Sequence, residues 1–261
     1  MTGPRRLAAP DFVYGNTRLR ARRGERPEPA AGTDPQAAST LLRSRLRGMH
    51  GLYSGAAADI VGAVLAGFDV ADVVTLLRGA IGRQPAQVVL PAVLAVHRVT
   101  EAAARDVAAA GEAAAAVQRL REYKLPDPDT ARELPGIWER YELHRDSAEL
   151  ERELAQTALG HRLATLDAYG AAAEPVRAAL LRERHDLARL GELRGTSEGF
   201  EATRLEAEWL EARQSAAMLG WVTGDPLGSG VPLAAVHQAQ ATARRLRRDA
   251  IDPAQAGAGD A

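Results

Sequence analysis

A chain of 261 residues with no cysteine excludes disulfide scaffolds, cysteine-ligated metal sites and cysteine nucleophiles. Only 4% of its residues are aromatic, so the apolar 46% is mostly alanine, leucine and valine, which favours closely packed helices over a sheet core and predicts an all-α fold. The net charge of -1 hides a bipolar spread: residues 1 to 26 hold seven arginines against Asp11 and Glu25, whereas residues 122 to 153 hold ten acids against five bases. A duplex would need basic groups on one continuous face, so this pattern suits oriented docking to a protein and not nucleic-acid binding.

In chain order, Asp11 after Pro10 reads as an N-cap for a helix from Phe12 to Arg23 that Gly24 ends. Residues 25 to 38, with three prolines, read as a loop in which Asp34-Pro35 caps and opens a helix carrying Leu41, Leu42 and Leu46. From Tyr53 onward, Ile60, Val61, Val64 and Leu65 mark one helical face, and Asp69 is expected to cap a second short helix through Val70, Val73, Val74 and Leu77, stopped by Gly79 and Gly82. That pair would form a hairpin, followed by two more helices between Pro85 and Tyr123 with breaks near Pro91 and Gly111.

A proline-rich stretch over residues 124 to 135 reads as a linker that separates an N-terminal half, 1–123, from a C-terminal half, 136–261. Beyond it, Asp146 with Glu149 resembles a capping box before a stripe of Leu150, Leu154, Ala158, Leu163 and Leu166, and Pro175 opens the next helix. Glu198 to Gly220 reads as a further helix. The chain then turns through Asp225-Pro226-Leu227-Gly228-Ser229-Gly230 into a last helix from Val231 that is rich in arginine near its end, where cations favour the macrodipole. The longest uncharged apolar runs, Ile60 to Phe68 and Val88 to Val96, fall short of the ~20 residues that span a bilayer, and no apolar leader follows Arg5 and Arg6, so a soluble cytoplasmic protein is expected.

Three of these stretches carry a resemblance. Asp11-Phe12-Val13-Tyr14-Gly15-Asn16-Thr17-Arg18-Leu19-Arg20-Ala21-Arg22-Arg23-Gly24, the segment from Gly67-Phe68-Asp69-Val70 to Leu76-Leu77-Arg78-Gly79, and the closing Asp-Pro-Leu-Gly turn with its Val-Pro-Leu-Ala helix are similar to one family. Together they resemble the central-stalk socket of the V-type and archaeal-type (V/A) rotary ATPases. The resemblance implies three similar helical modules in a pseudo-threefold funnel, here with the first module shortened after Gly24. Arg184 to Gly195 echoes Asp69 to Gly79, both ending in Leu-Arg-Gly, and the last helix would be a looser third copy that lacks the family's usual asparagine.

It implies further that the chain is the non-catalytic central-stalk component, peripheral at the cytoplasmic face of the membrane. Its partners would be the D and F components of the rotor shaft and the membrane ring of proteolipids, termed c or K. On that reading Tyr14, Arg18, Arg22, Arg244, Arg245 and Arg248 are the candidate interface residues, arginine being suited to acidic and carbonyl groups on a partner. A helical adaptor unrelated to rotary ATPases is the alternative.

Residue chemistry points away from catalysis and from a bound cofactor. Lys124 sits in no glycine-flanked phosphate loop, and the six histidines lack the three- or four-residue spacing that would put two imidazoles on one helical face around a metal. Ser229 between two glycines lacks the nucleophile-elbow pattern, and Glu206/Glu208 and Glu151/Glu153 point in different helical directions. A small helical enzyme would have to use groups such as His185 and His237.

Overall fold

The chain is organised around one helix that the sequence pattern splits in two. The computed structural model describes residues 10–24, 35–194 and 227–251, and every regular element among them is helical, so the fold is all-α. Helix α1 is Pro10–Gly24, α2 Pro35–Leu46, α3 Gly55–Ile81, α4 Ala86–Val89, α5 Glu101–Ala108, α6 Ala113–Glu122, α7 Pro128–His144, α8 Ser147–Asp167, α9 Glu174–Arg194 and α10 Gly230–Ile251.

Helix α3 runs unbroken for 27 residues, so the expected hairpin within it does not form. Apolar side chains cover it on all sides, the mark of a helix buried in the middle of its fold. Its length and composition would also suffice to cross a membrane, but two thirds of the qualifying window (67%) is buried against the rest of the chain. Gly67 and Asp69 do not interrupt it. A mid-helix glycine costs only about 1 kcal/mol relative to alanine, which the packing on every side outweighs. Asp69 does not cap a helix; its carboxylate reaches a loop 28 to 30 residues later. Gly79 lies inside α3 and not at its end, because a Cβ there would stand 2.4 Å from a Val89 methyl carbon: the glycine lets α4 approach. The stop comes at Gly82, whose N–H bonds the Arg78 carbonyl at 2.9 Å before Arg83 turns left-handed.

Helix α8 lies antiparallel along α3, with Arg162 Nε donating to the Ala63 carbonyl at one end and Arg78 paired with Glu151 at the other. The two helices divide the apolar interior between them. The N-terminal half of α3 and the C-terminal half of α8 share a core with α1, α2, α9 and α10, in which Leu46, Ile60, Leu65, Leu159 and Leu166 are almost wholly buried. The remaining halves share a second core with α4 to α7, built on Leu76, Leu77, Leu120, Leu134, Ile137 and Leu154.

Neither core is confined to one side of the expected linker at 124–135, and that stretch is mostly helix. Asp127 caps α7, accepting from Asp129 N–H at 3.0 Å and Thr130 N–H at 2.9 Å, and Pro128 opens it with its fixed φ. Pro135 sits within the helix. An internal proline costs about 3 kcal/mol, and burial of Ala131, Leu134, Ile137, Trp138 and Tyr141 on the inner face offsets it.

Other boundaries follow the sequence closely. Asp146 caps α8 through Ala148 and Glu149, although Glu149 turns to Arg152 and does not complete a reciprocal box. Helix α1 starts at Pro10, placing Asp11 in its first turn. Gly111, at φ +75°, breaks the chain between α5 and α6, and α4 with a single 3-10 turn at Leu90–Ala92 precedes them. The helix expected over Glu198 to Gly220, and the start of the closing turn at Asp225-Pro226, lie outside the described residues.

Candidate functional site

Helix α1 presents two faces. Phe12, Gly15, Asn16 and Leu19, at helical spacing, are buried, while Val13, Tyr14, Thr17 and Arg18 face outward, Tyr14 being 66% exposed. The buried face is fastened by polar bonds as well as packing. Tyr53 Oη donates to Asn16 Oδ1 at 2.9 Å, and Asn16 Nδ2 donates to the Gly228 carbonyl at 3.1 Å. Ser229 Oγ, on a residue 1% exposed, donates to the Ala172 carbonyl at 2.7 Å, which ties the same turn to the 3-10 turn just before α9 and commits the hydroxyl to structure. Burial also pushes the Tyr53 phenol up, keeping it a neutral donor.

Two buried aspartates one turn apart on α3 form a second constellation. Asp72 accepts from Leu94 N–H at 2.7 Å and Ala95 N–H at 2.8 Å, while Arg43 of α2 donates from Nε to the Leu94 carbonyl at 2.9 Å and from Nη2 to the Val93 carbonyl at 2.5 Å. Asp69 accepts from Arg98 N–H at 2.9 Å and Val99 N–H at 3.0 Å, and its other oxygen meets His97 Nδ1 at 2.7 Å. The loop 93–99 has no regular partner for these amides, and the two carboxylates supply it. An Asp-x-x-Asp pair in the middle of a mostly apolar helix is the sequence signal that could have found this clamp.

Burial, with Asp69 nearby, raises Asp72 to about 6 from 3.8, against the lowering effect of the two amides and Arg43. The fold therefore takes up a proton here more readily than the unfolded chain does. This contribution to stability is complete below about pH 4 and is lost as pH rises through about 6. Between pH 7 and pH 5 the wild type is expected to gain about 1 kcal/mol that Asp72→Asn does not gain. Urea midpoints of the two proteins at both pH values check this; equal pH responses would contradict it.

The third feature is a cavity of about 540 Å³ between α2, α3, α8, α9 and α10. Arg162, Arg182 and Arg244 line it from three different helices, with Glu183, His237 and Asp72. Arg162 is the deepest: its side chain is 8% exposed, Nε bonds the Ala63 carbonyl at 2.8 Å, and Nη1 meets Glu183 at 3.3 Å. Burial lowers the His237 imidazole, Arg244 adds to that effect, Glu183 opposes it and Arg182 reinforces it. His237 is therefore neutral at physiological pH.

Of the six residues singled out as interface candidates, Tyr14 and Arg18 are exposed on α1, and Arg244 is half-buried in the cavity wall. Arg22, Arg245 and Arg248 lie on α1 and α10. Sequence reasoning does not single out Arg162 or Arg182. His185 is exposed and lies outside the cavity lining, so it and His237 do not form a shared site there. Among the described residues, no group of three or more His, Asp or Glu side chains is arranged to hold a metal ion. Comparison of the chain with family models, with curated proteins and with solved structures returns no match in any of the three.

Proposed function

We propose that this chain is the central-stalk socket of a V-type or archaeal-type rotary ATPase, a non-catalytic coupling between the rotor shaft and the membrane ring. The observation that carries the reading is the bond from Asn16 to the Gly228 carbonyl. It joins two of the three stretches that resemble that family, across 212 residues, so that they form one structural unit. The third resembling stretch ends in Arg78 and Gly79, which pair with Glu151 and admit α4 respectively.

On this reading torque passes through stiff contacts alone, which suits the long α3 flanked by cores along its whole length. We assign the shaft or ring contact to the outward face of α1, where Tyr14 and Arg18 are exposed.

The funnel of three modules belongs to this proposal, as do the D and F components of the shaft, the proteolipid ring and the peripheral position on the membrane. Co-elution of the purified chain with the detergent-solubilised ring and with the shaft pair from the same cell tests it. Binding to both is the expected outcome. Stable binding to neither, alongside capture by an unrelated partner, favours a helical adaptor instead.

A further inference from the structure

Arg162 stands out among the buried polar groups because its bonds leave part of its guanidinium unused. Of five N–H donors, Nε is committed to Ala63 and Nη1 to Glu183, and among the described residues Nη2 has no partner. The group is nevertheless more than nine-tenths buried, lying against α3 where Gly67 leaves room: a Cβ on Gly67 would stand 3.4 Å from Nη2. Arg162 belongs to the wall of the 540 Å³ cavity, a volume within the range of small-molecule sites. Nη2 keeps some contact with solvent, so its remaining N–H groups are open to water or to a ligand in the cavity.

The cavity supplies the rest of a receptor. Arg182 and Arg244 line it from α9 and α10, and both raise the local potential at His237 enough to oppose its protonation. The compensating acids are few and otherwise occupied. Glu183 is 41% exposed and already meets Arg162, Asp72 holds two loop amides, and Asp186 is buried one turn along α9 with contacts of its own. Arg182, Arg244 and His237 also make contacts within the protein. The assignment rests on the Nη2 donors of Arg162 and on the presence of three arginines in one cavity wall, and not on Arg182, Arg244 or His237 being idle.

We propose that this cavity binds a small multivalent oxyanion, a phosphate- or carboxylate-bearing molecule, with Arg162 as its deepest donor and Arg182 and Arg244 at its sides. Planar guanidinium groups meet such oxyanions with paired, charge-assisted hydrogen bonds that an ammonium cannot reproduce. Leu94 of the clamped loop and Asp72 share the cavity wall, so occupancy is expected to stiffen that loop as well. The inference does not depend on the rotary reading: it concerns a ligand within the chain, and the proposed shaft and ring contacts lie elsewhere.

The test is calorimetric titration of the full chain with inorganic pyrophosphate and, separately, with citrate, against sodium chloride at matched ionic strength. The expected result is saturable one-to-one binding of at least one of the two, weakened about tenfold in Arg162→Lys, which keeps the charge and loses the fork, and similarly in Arg182→Gln. Circular dichroism melting of each variant shows whether it is folded, and Arg182→Gln, at a less buried position, carries the test if Arg162→Lys is not. Absence of saturable heat from folded wild type with both anions up to about 10 mM overturns the proposal. So does binding that is unchanged in every folded variant.

Discussion

Replacing Asp69 with alanine is expected to lower the free energy of unfolding by about 4 kcal/mol. The carboxylate is wholly buried and receives three donors, the Arg98 and Val99 amides and His97 Nδ1. Alanine leaves these without an acceptor in the interior, where each orphaned donor costs about 1–3 kcal/mol. Water entering the vacated space recovers part of that loss, which keeps the total below the simple sum. Asp69→Asn separates charge from geometry: its amide oxygen can serve two donors, so it should cost about half as much. Urea unfolding at neutral pH decides it. A loss below about 1 kcal/mol for the alanine variant would mean that the loop 97–99 finds other partners and that the clamp is incidental.

Gly15→Ala is expected to destabilise by about 3 kcal/mol, although alanine is normally the better helix former by about 1 kcal/mol. The space decides the sign. A Cβ on Gly15 would stand 2.3 Å from Tyr53 Cε1 and 2.4 Å from Cδ1, and the ring is 7% exposed, so it has little room to withdraw. Overpacking of this kind costs about 3 kcal/mol, and displacement of the ring also breaks the Tyr53 to Asn16 bond, worth about 1 kcal/mol more. The damage should be local. Hydrogen exchange is expected to rise across α1 and the 228–231 turn while the core of α5, α6 and α7 stays protected. Unchanged exchange in α1 would show that the helix docks without this close approach, and an increase spread evenly over the chain would show that the two cores are not separable.

Both effects arise where sequence patterns stop being informative. Local signals are readable because their partners are close in sequence: Asp146 caps α8 through amides two or three residues on, and Pro35 and Pro175 lie at helix starts. The alanine- and leucine-rich composition identifies an all-α fold for the same reason, since helix bonds are local. Asp69 misleads because a cap and a clamp begin with the same residue, and only the position of His97, Arg98 and Val99 in space distinguishes them. Residues 128 to 135 mislead because proline density suggests a linker, whereas burial of one face of α7 holds the helix through Pro135.

The candidate site divides along the same line. The buried face of α1 follows from helical spacing, and the resembling stretches contain both Asn16 and Gly228, but their meeting is a contact across 212 residues that no periodicity reveals. Arg244 reads as an interface residue because it sits in an arginine cluster near a helix end. That it shares a cavity wall with Arg182 of α9 is visible only in the structure. Arg162 gives no signal at all, since one arginine in a helix reads as solvated until α3 is laid across it.

A chain that acts as the proposed socket bridges two partners, and a bridging experiment measures that directly. The detergent-solubilised proteolipid ring and the D and F shaft pair are mixed with and without the chain, then separated by size at low and at moderate salt. Ring and shaft are expected to migrate apart on their own and together when the chain is present, with weaker association at moderate salt because arginine contacts are screened. Arg18→Glu, an exposed change on α1, is expected to weaken the bridge without altering the unfolding midpoint. Ring and shaft that stay separate in the presence of folded chain at both salt concentrations would contradict it.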